Sequence, residues 1–274
     1  MKDSDIPLGK ATVYPKQYDP TLLFPVPRQP KRDEIGWRFD QSIRGGDLWT
    51  AYEVSWLNPM GKPQVAIVEF EFAQDSPNIV ESKSFKLYLN SFNQQVMHSQ
   101  DEFKATLQRD LEQVCGKSLT RLTFYTLDEF QQMGFGTFEG TCVDDLEVAC
   151  SVYDYQPQFL TCLAPALSVS ETLYSHLLKS NCLITSQPDW ASVFIEYQGS
   201  KIDPAGLLQY IVSFRNHDEF HEQCVERIYQ DIMTHCQPEK LLVMARYTRR
   251  GGLDINPWRA NYTPSLSFMR LARQ

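Results

Sequence analysis

SFRNHDEF, residues 213–220, repeats letters found earlier as SFN (91–93) and DEF (101–103), and the segments around the two copies follow one order. In QVAIVEFEF (64–72), Ala66, Val68, Phe70 and Phe72 alternate with Val65, Ile67, Glu69 and Glu71, the period-2 pattern of a half-buried strand. LWTAYEVSWL (48–57) is a strand candidate before it, with Gly61 and Pro63 as turn signals between them. ESKSFKLYLNSF (81–92) then predicts a helix. Ser99 and Glu102 form a capping box ahead of a second, whose Phe103, Leu107 and Leu111 share one face. SLTRLTFYTL (118–127) returns to strand, and a stretch holding Asp144, Asp145 and Glu147 follows.

The second half reads alike. WASVFIEYQG (190–199) is a strand, and DPAGLLQYIVSF (203–214) a helix with Asp203 as cap and Pro204 in its first turn. Phe220, Cys224, Ile228 and Ile232 lie at four-residue spacing on a longer helix that stops before Pro238. KLLVMARYT (240–248) is again strand, and SLSFMRLA (265–272) closes the chain. A duplicated module follows, each copy strand, strand, helix, helix, strand, strand: an α+β fold whose antiparallel sheet carries both helices on one face. The modules are expected at residues 1–160 and 161–274.

Counting back from SF aligns Glu81-Ser82-Lys83 with Asp203-Pro204-Ala205, and counting forward from DEF aligns His221-Glu222 with Lys104-Ala105. Each half holds polar groups that the other lacks. The expectation is one site divided between the halves, with Glu81 and Cys182 close together within a chain or across a dimer.

The net charge of −8 argues against non-specific binding to a nucleic acid backbone. MKDSDIPLGK at the start has no apolar signal-like core, and no run reaches the roughly 20 apolar residues of a membrane span. Seven cysteines with no C-x-x-C pair point to reduced thiols and a cytoplasmic protein. Six prolines in the first 35 residues (7, 15, 20, 25, 27, 30) read as an extended arm over a surface. GFGTFEG (134–140) lacks the spacing and setting of a dinucleotide-binding turn, and no cluster has metal-ligand spacing.

The chemistry-bearing stretch is NCLITSQPDW (181–190), with a thiol at Cys182 and a carboxylate at Asp189, supported by the His221-Glu222 pair. A thiol, an imidazole and two carboxylates are the parts of covalent thiol catalysis. Outside that context Cys182 reads as a buried cysteine, Asp189 as a turn residue, and His221-Glu222 as a solvated helix start.

ESKSFKLYLNSFN (81–93), NCLITSQPDW (181–190), SFRNHDEFHE (213–222) and RYTRRGGLDINPWR (246–259) together resemble the NADPH-dependent nitrile reductases of queuosine biosynthesis, the QueF family, in its long two-module type. The resemblance implies two tandem tunnelling-fold modules, related to those of GTP cyclohydrolases. It implies reduction of 7-cyano-7-deazaguanine to 7-aminomethyl-7-deazaguanine with two NADPH, and a homodimer; the product feeds a tRNA modification, but the acidic chain shows no sign of binding tRNA itself. By resemblance Cys182 forms a covalent thioimide and Asp189 donates protons. The position of Asp189 between Pro188 and Trp190 suggests a raised pKa. Val80, Glu81, Ser82, His221 and Glu222 match substrate contacts; Ser82, Lys83, Arg250 and Gly251 match cofactor contacts. Arg249 is a further basic neighbour by our own reading. The cyclohydrolases' zinc chemistry does not carry over. Two other readings stay open at this point: a cysteine-dependent hydrolase or amidohydrolase of a pterin or purine, and a purine-binding protein of the same fold without catalysis.

Overall fold

Strands with apolar residues at every second position line up into one sheet. The computed structural model describes residues 14–37, 42–116, 119–267 and 269–274, so Pro7 and Ser118 lie outside the described residues. In chain order the first half holds β1 (Pro25–Pro27), α1 (Gln29–Glu34), β2 (Arg44–Leu57), β3 (Pro63–Ala73), β4 (Asn78–Val80), α2 (Ser82–Asn90), α3 (Gln100–Cys115), β5 (Leu119–Tyr125) and α4 (Leu127–Gln132). The second holds β6 (Thr141–Cys142), β7 (Cys162–Asn181), β8 (Pro188–Ile202), α5 (Pro204–Val212), α6 (His221–His235), β9 (Lys240–Tyr247) and β10 (Leu253–Ala260). The main sheet has the order β5-β3-β2-β10-β9-β8-β7-β6, antiparallel except between β6 and β7.

Register places the apolar set on one face. Trp49 faces both Phe70 and Ile255, Arg259 faces Val243, and Ala245 faces Val193. Two aromatic-rich cores cover that face. One joins Trp49, Phe70, Phe72, Phe85, Tyr88 and Phe103 under α2 and α3; the other joins Val193, Ile195, Tyr210, Phe214, Ile228 and Tyr247 under α5 and α6. The cores interlock, because Leu253 and Ile255 of β10 belong to the first and Trp37 to the second.

The halves repeat in atomic detail. Tyr88 donates to Asp110 (2.7 Å), as does Tyr18 (2.6 Å); Tyr210 donates to Asp231 (2.5 Å), as does Tyr155 (2.8 Å). Ser91 Oγ donates to the Tyr88 carbonyl and Ser213 Oγ to that of Tyr210, both at 2.6 Å. Glu81 and Asp203 cap α2 and α5, and their N–H groups donate to the carbonyls of Phe24 and Thr161, both at 2.9 Å. Pairing Asp110 with Asp231 places Gln100 and Asp101, the start of α3, opposite His221 and Glu222, the start of α6. The two DEF triplets are therefore not equivalent. One lies inside the first turn of α3 and the other ahead of α6, one helical turn apart, so Lys104-Ala105 is not the counterpart of His221-Glu222.

Three further expectations change. Among the described residues the last strand is β10, not 265–272, whose described part holds an isolated bridge between Arg270 and Phe135. Pro257 disguised it: a residue with no N–H suits a place where the ladder to β9 has not yet begun, at Trp258. The 20-residue β7 went unread, because its serines and threonines blur the apolar alternation. Nor, among the described residues, does a fourth strand stand beside β5; Thr141–Cys142 instead pairs in parallel with β7.

The proline-rich arm does lie along the surface, but it is anchored by charge. Its β1 pairs with β4, and Arg28 and Arg32 turn inward. Arg28 pairs with Asp47; Arg32 pairs with Glu226 (2.5 Å); and Arg259 reaches both Asp47 and Glu226 (2.8 Å each). All five side chains are buried, so arm, sheet and α6 meet in one desolvated ion cluster.

Candidate active site

Where the halves meet, a cleft of about 640 Å3, its open mouth included, is lined by residues of both. The first half contributes Trp49, Val80, Glu81, Ser82 and Lys86; the second contributes Cys182, Asp189, His221, Glu222 and Arg250. Glu81 and Cys182 thus stand on one cleft within a single chain.

The β7–β8 hairpin presents the thiol. Its loop closes on Cys182, whose N–H donates to the Gln187 carbonyl (2.8 Å) and whose carbonyl accepts from Ser186 (2.9 Å). Ser186 takes the left-handed conformation, φ 51°, that this tight turn requires. The neighbouring Asn181 is tied to the segment before α6: its N–H donates to the His217 carbonyl, and its carbonyl accepts from Glu219 (2.9 Å). Burial alone would raise the Cys182 pKa. The Thr185 hydroxyl and the Ile184 and Thr185 N–H groups outweigh it and hold the thiol below its ordinary value. Alkylation of Cys182 by iodoacetamide, followed by intact mass against pH, will therefore titrate below an ordinary thiol, and Thr185→Val will move the midpoint upward.

Asp189 follows Pro188 at the start of β8 and is 3% exposed. Its Oδ2 lies 3.2 Å from His221 Nε2, and Arg250 pairs with Oδ1 while also reaching Gln187. The expected rise in its pKa is reversed. Burial pulls upward, but the hydrogen bonds and charges of His221 and Arg250 outweigh burial and hold the carboxyl below the usual carboxylate range. Pro188 and Trp190 suggested an apolar setting, while His221 and Arg250 come from segments remote in sequence. The His221 ring stacks on Tyr247 at 3.8 Å, which fixes its direction.

Glu222 is buried, and its Oε1 has no hydrogen-bond partner. Burial, then the nearby Asp47 carboxylate, raises its pKa. A desolvated acceptor left unmatched beside a cleft is what a ligand with N–H donors would complete. Glu81 spends both carboxylate oxygens on the N–H groups of Lys83 (2.8 Å) and Ser84 (2.7 Å), so it shapes the cleft wall as a cap.

Among the cations, Arg250 lines the cleft, whereas Lys83 is exposed and absent from its walls. Lys86, one turn along α2, lines it instead; burial, then the Arg250 guanidinium, lowers its pKa. Spacing along α2 was the signal that could have found it. Gly251 floors an adjoining hollow, with left-handed φ at both it and Gly252, and a Cβ there would come within 3.3 Å of Lys86. Arg249 lies over the Tyr52 ring at 4.6 Å, outside the cleft. Two cations repelling each other above a side-chain-free turn fit an anionic group such as a phosphate. Among the described residues, no three or more His, Cys, Asp or Glu side chains gather as a metal would need, and no helix is long and apolar enough to cross a membrane.

The chain is similar throughout its length to proteins of one family. A family model described as "Nitrile reductase, 7-cyano-7-deazaguanine-reductase N-term" matches residues 14–122, and one described as "QueF-like protein" matches residues 188–265. The NADPH-dependent 7-cyano-7-deazaguanine reductase of Hydrogenovibrio crunogenus is 53% identical over 268 residues, 97% of this chain and 96% of the relative. That of Burkholderia mallei is 54% identical over 275 residues, the whole of both. A crystal structure of the archaeosine synthase QueF-Like in its apo form covers 35% of this chain and 96% of its own at 17% identity, with a TM-score of 0.31, too slight a likeness to carry weight.

Proposed function

This chain belongs to the QueF family of 7-cyano-7-deazaguanine reductases, and we propose that it reduces the nitrile of 7-cyano-7-deazaguanine to the aminomethyl group with NADPH, for queuosine synthesis. The observation that carries this reading is the cleft itself, which sets a thiol held below its ordinary pKa on the same walls as an unmatched buried carboxylate.

The residues divide the work. Glu222 accepts hydrogen bonds from the N1–H and 2-amino group of the base and so holds the nitrile over Cys182. The sulfur adds to the nitrile carbon. Asp189, ionised in the free protein, takes the thiol proton and returns it to the nitrile nitrogen, which leaves a thioimide on Cys182. NADPH, when bound, supplies a hydride to that carbon at each of two stages. Between them, sulfur departs as thiolate and an imine remains; His221, hydrogen-bonded to Asp189, feeds protons to nitrogen. Lys86, Arg250 and the Gly251 turn are the groups suited to the cofactor phosphates. They also weigh against the hydrolase reading, since hydrolysis needs no dinucleotide.

The paired Tyr–Asp–Tyr clusters and caps support two tandem tunnelling-fold modules. We place the start of the second ahead of β6 rather than at 161, because Val143, Tyr155 and Leu160 pack in its core. A cytoplasmic homodimer that binds no nucleic acid is part of the same proposal, supported by seven cysteines outside any disulfide, the net charge and, among the described residues, the unpaired outer edge of β5.

The test is consumption of two NADPH per nitrile, with the amine as product; no nitrile-dependent consumption would defeat the proposal. Glu222→Gln puts an amide N–H against the base's own donors, and will weaken adduct formation roughly a hundredfold in half-saturating nitrile. Intact mass across a nitrile titration measures it.

A further inference from the structure

Glu222 accounts for the donors of a guanine-like base, but the same edge carries a 6-oxo group beside N1–H, and a buried acceptor needs a donor. Besides Trp49, the cleft-lining side chains that carry an N–H or O–H donor are Ser82, Lys86, His221, Thr248 and Arg250. Arg250 bonds Asp189 and Gln187, and His221 Nε2 faces Asp189 while its Nδ1 is unmatched on a ring stacked against Tyr247. Trp49 is different. It lines the cleft, is 1% exposed, and its indole Nε1 has no hydrogen-bond partner. Its ring is gripped by the edges of Phe72 and Phe85, at 5.6 and 5.2 Å, so the N–H cannot swing elsewhere without repacking the core. It lies two residues along β2 from Asp47, on the same face, and Asp47 is the carboxylate felt by Glu222. An unmatched buried donor and an unmatched buried acceptor therefore border one cleft.

We propose that Trp49 is a specificity-determining residue whose indole N–H donates to the 6-oxo oxygen of the base while Glu222 accepts from its N1–H and 2-amino groups. This rests on the nitrile reductase reading. An indole is a donor only, so the arrangement accepts a 6-oxo base and opposes a 6-amino one, whose N–H would meet N–H. The hydrogen bond orients the base; Trp49 touches no reacting atom.

The test compares 7-cyano-7-deazaguanine with its analogue lacking the 6-oxo group, by half-saturation of the Cys182 adduct without NADPH. The analogue loses N1–H together with the oxo group, so wild-type protein will favour the oxo base about a hundredfold or more, and Trp49→Phe, which keeps an aromatic ring and loses the indole N–H, will cut that preference about tenfold and leave the part that Glu222 supplies. A preference unchanged in Trp49→Phe overturns the proposal, as does wild-type protein that shows none. Because the variant disturbs the core, a second measurement uses the unaltered ring. In 15N-indole-labelled Cys182→Ala protein, the Trp49 N–H proton will move downfield with the oxo base and stay put with the analogue. An unmoved resonance also overturns it. Wild-type protein that forms no adduct with either compound fails the nitrile reductase reading itself, and so separates the two failures.

Discussion

Cys182→Ala protein will consume no NADPH when 7-cyano-7-deazaguanine is added, a loss on the order of 10⁴-fold or more, and will gain no mass from the nitrile. The size follows from the role. No other described cysteine lines the cleft: Cys115, Cys224 and Cys236 are buried, and burial pushes their thiols up to about 12. The proposed route has no sulfur to substitute. The adduct also separates chemistry from binding. Asp189→Asn should keep the fold, since Arg250 and His221 retain an amide oxygen to address, but it loses the base that shuttles the thiol proton. Its adduct will form more slowly at unchanged half-saturation. An Asp189→Asn protein that forms the adduct at the wild-type rate would remove Asp189 from the first step.

The site was legible in the sequence where its residues share a short segment. Cys182 and Asp189 sit on one hairpin, and His221 and Glu222 on one helical turn. What escaped was whatever depends on strands meeting. The depressed pKa of Asp189 comes from His221 and then from Arg250, the latter 61 residues away. The unmatched donor of Trp49 is visible only once β2 lies beside β10. Lys83 was named from the segment's match to the family, whereas Lys86, three residues on along α2, is the lysine that lines the cleft. The element order was legible for a similar reason. Alternation and caps are local, so β3, β8, α2 and α5 were found, while β10, broken by Pro257, and β7, rich in hydroxyls, were not.

Arg259→Ala will destabilise the protein by about 3–5 kcal/mol, which for a chain of this size lowers the midpoint of thermal unfolding by roughly 10 °C. Arg259 is fully buried and bridges Asp47 on β2 to Glu226 on α6. Removing it leaves two carboxylates in a dry interior, with Arg28 and Arg32 of the arm as their remaining partners. Burial alone would raise both carboxyl pKa values; the arginines, Arg259 foremost, outweigh it and lower them. The sign of the pH dependence follows. A group whose folded pKa is depressed contributes stability above its unfolded value, near 4, and that contribution is lost as pH falls through the folded pKa. The wild-type protein will therefore unfold in acid below about pH 4, and Arg259→Ala will lose stability already at neutral pH, where its carboxylates are ionised and unpaired. Urea titrations at neutral and mildly acidic pH measure both. The gap between the two proteins should narrow on acidification, because protonation relieves the variant and costs the wild type. A gap that widens instead would mean that the arginine acts by filling space rather than by charge. The same cluster stands behind Glu222, whose pKa the Asp47 carboxylate raises and Arg28 lowers. Arg259→Ala protein that remains folded should therefore bind the base more weakly while still alkylating normally at Cys182, which places the ion cluster on the side of recognition and not of sulfur chemistry.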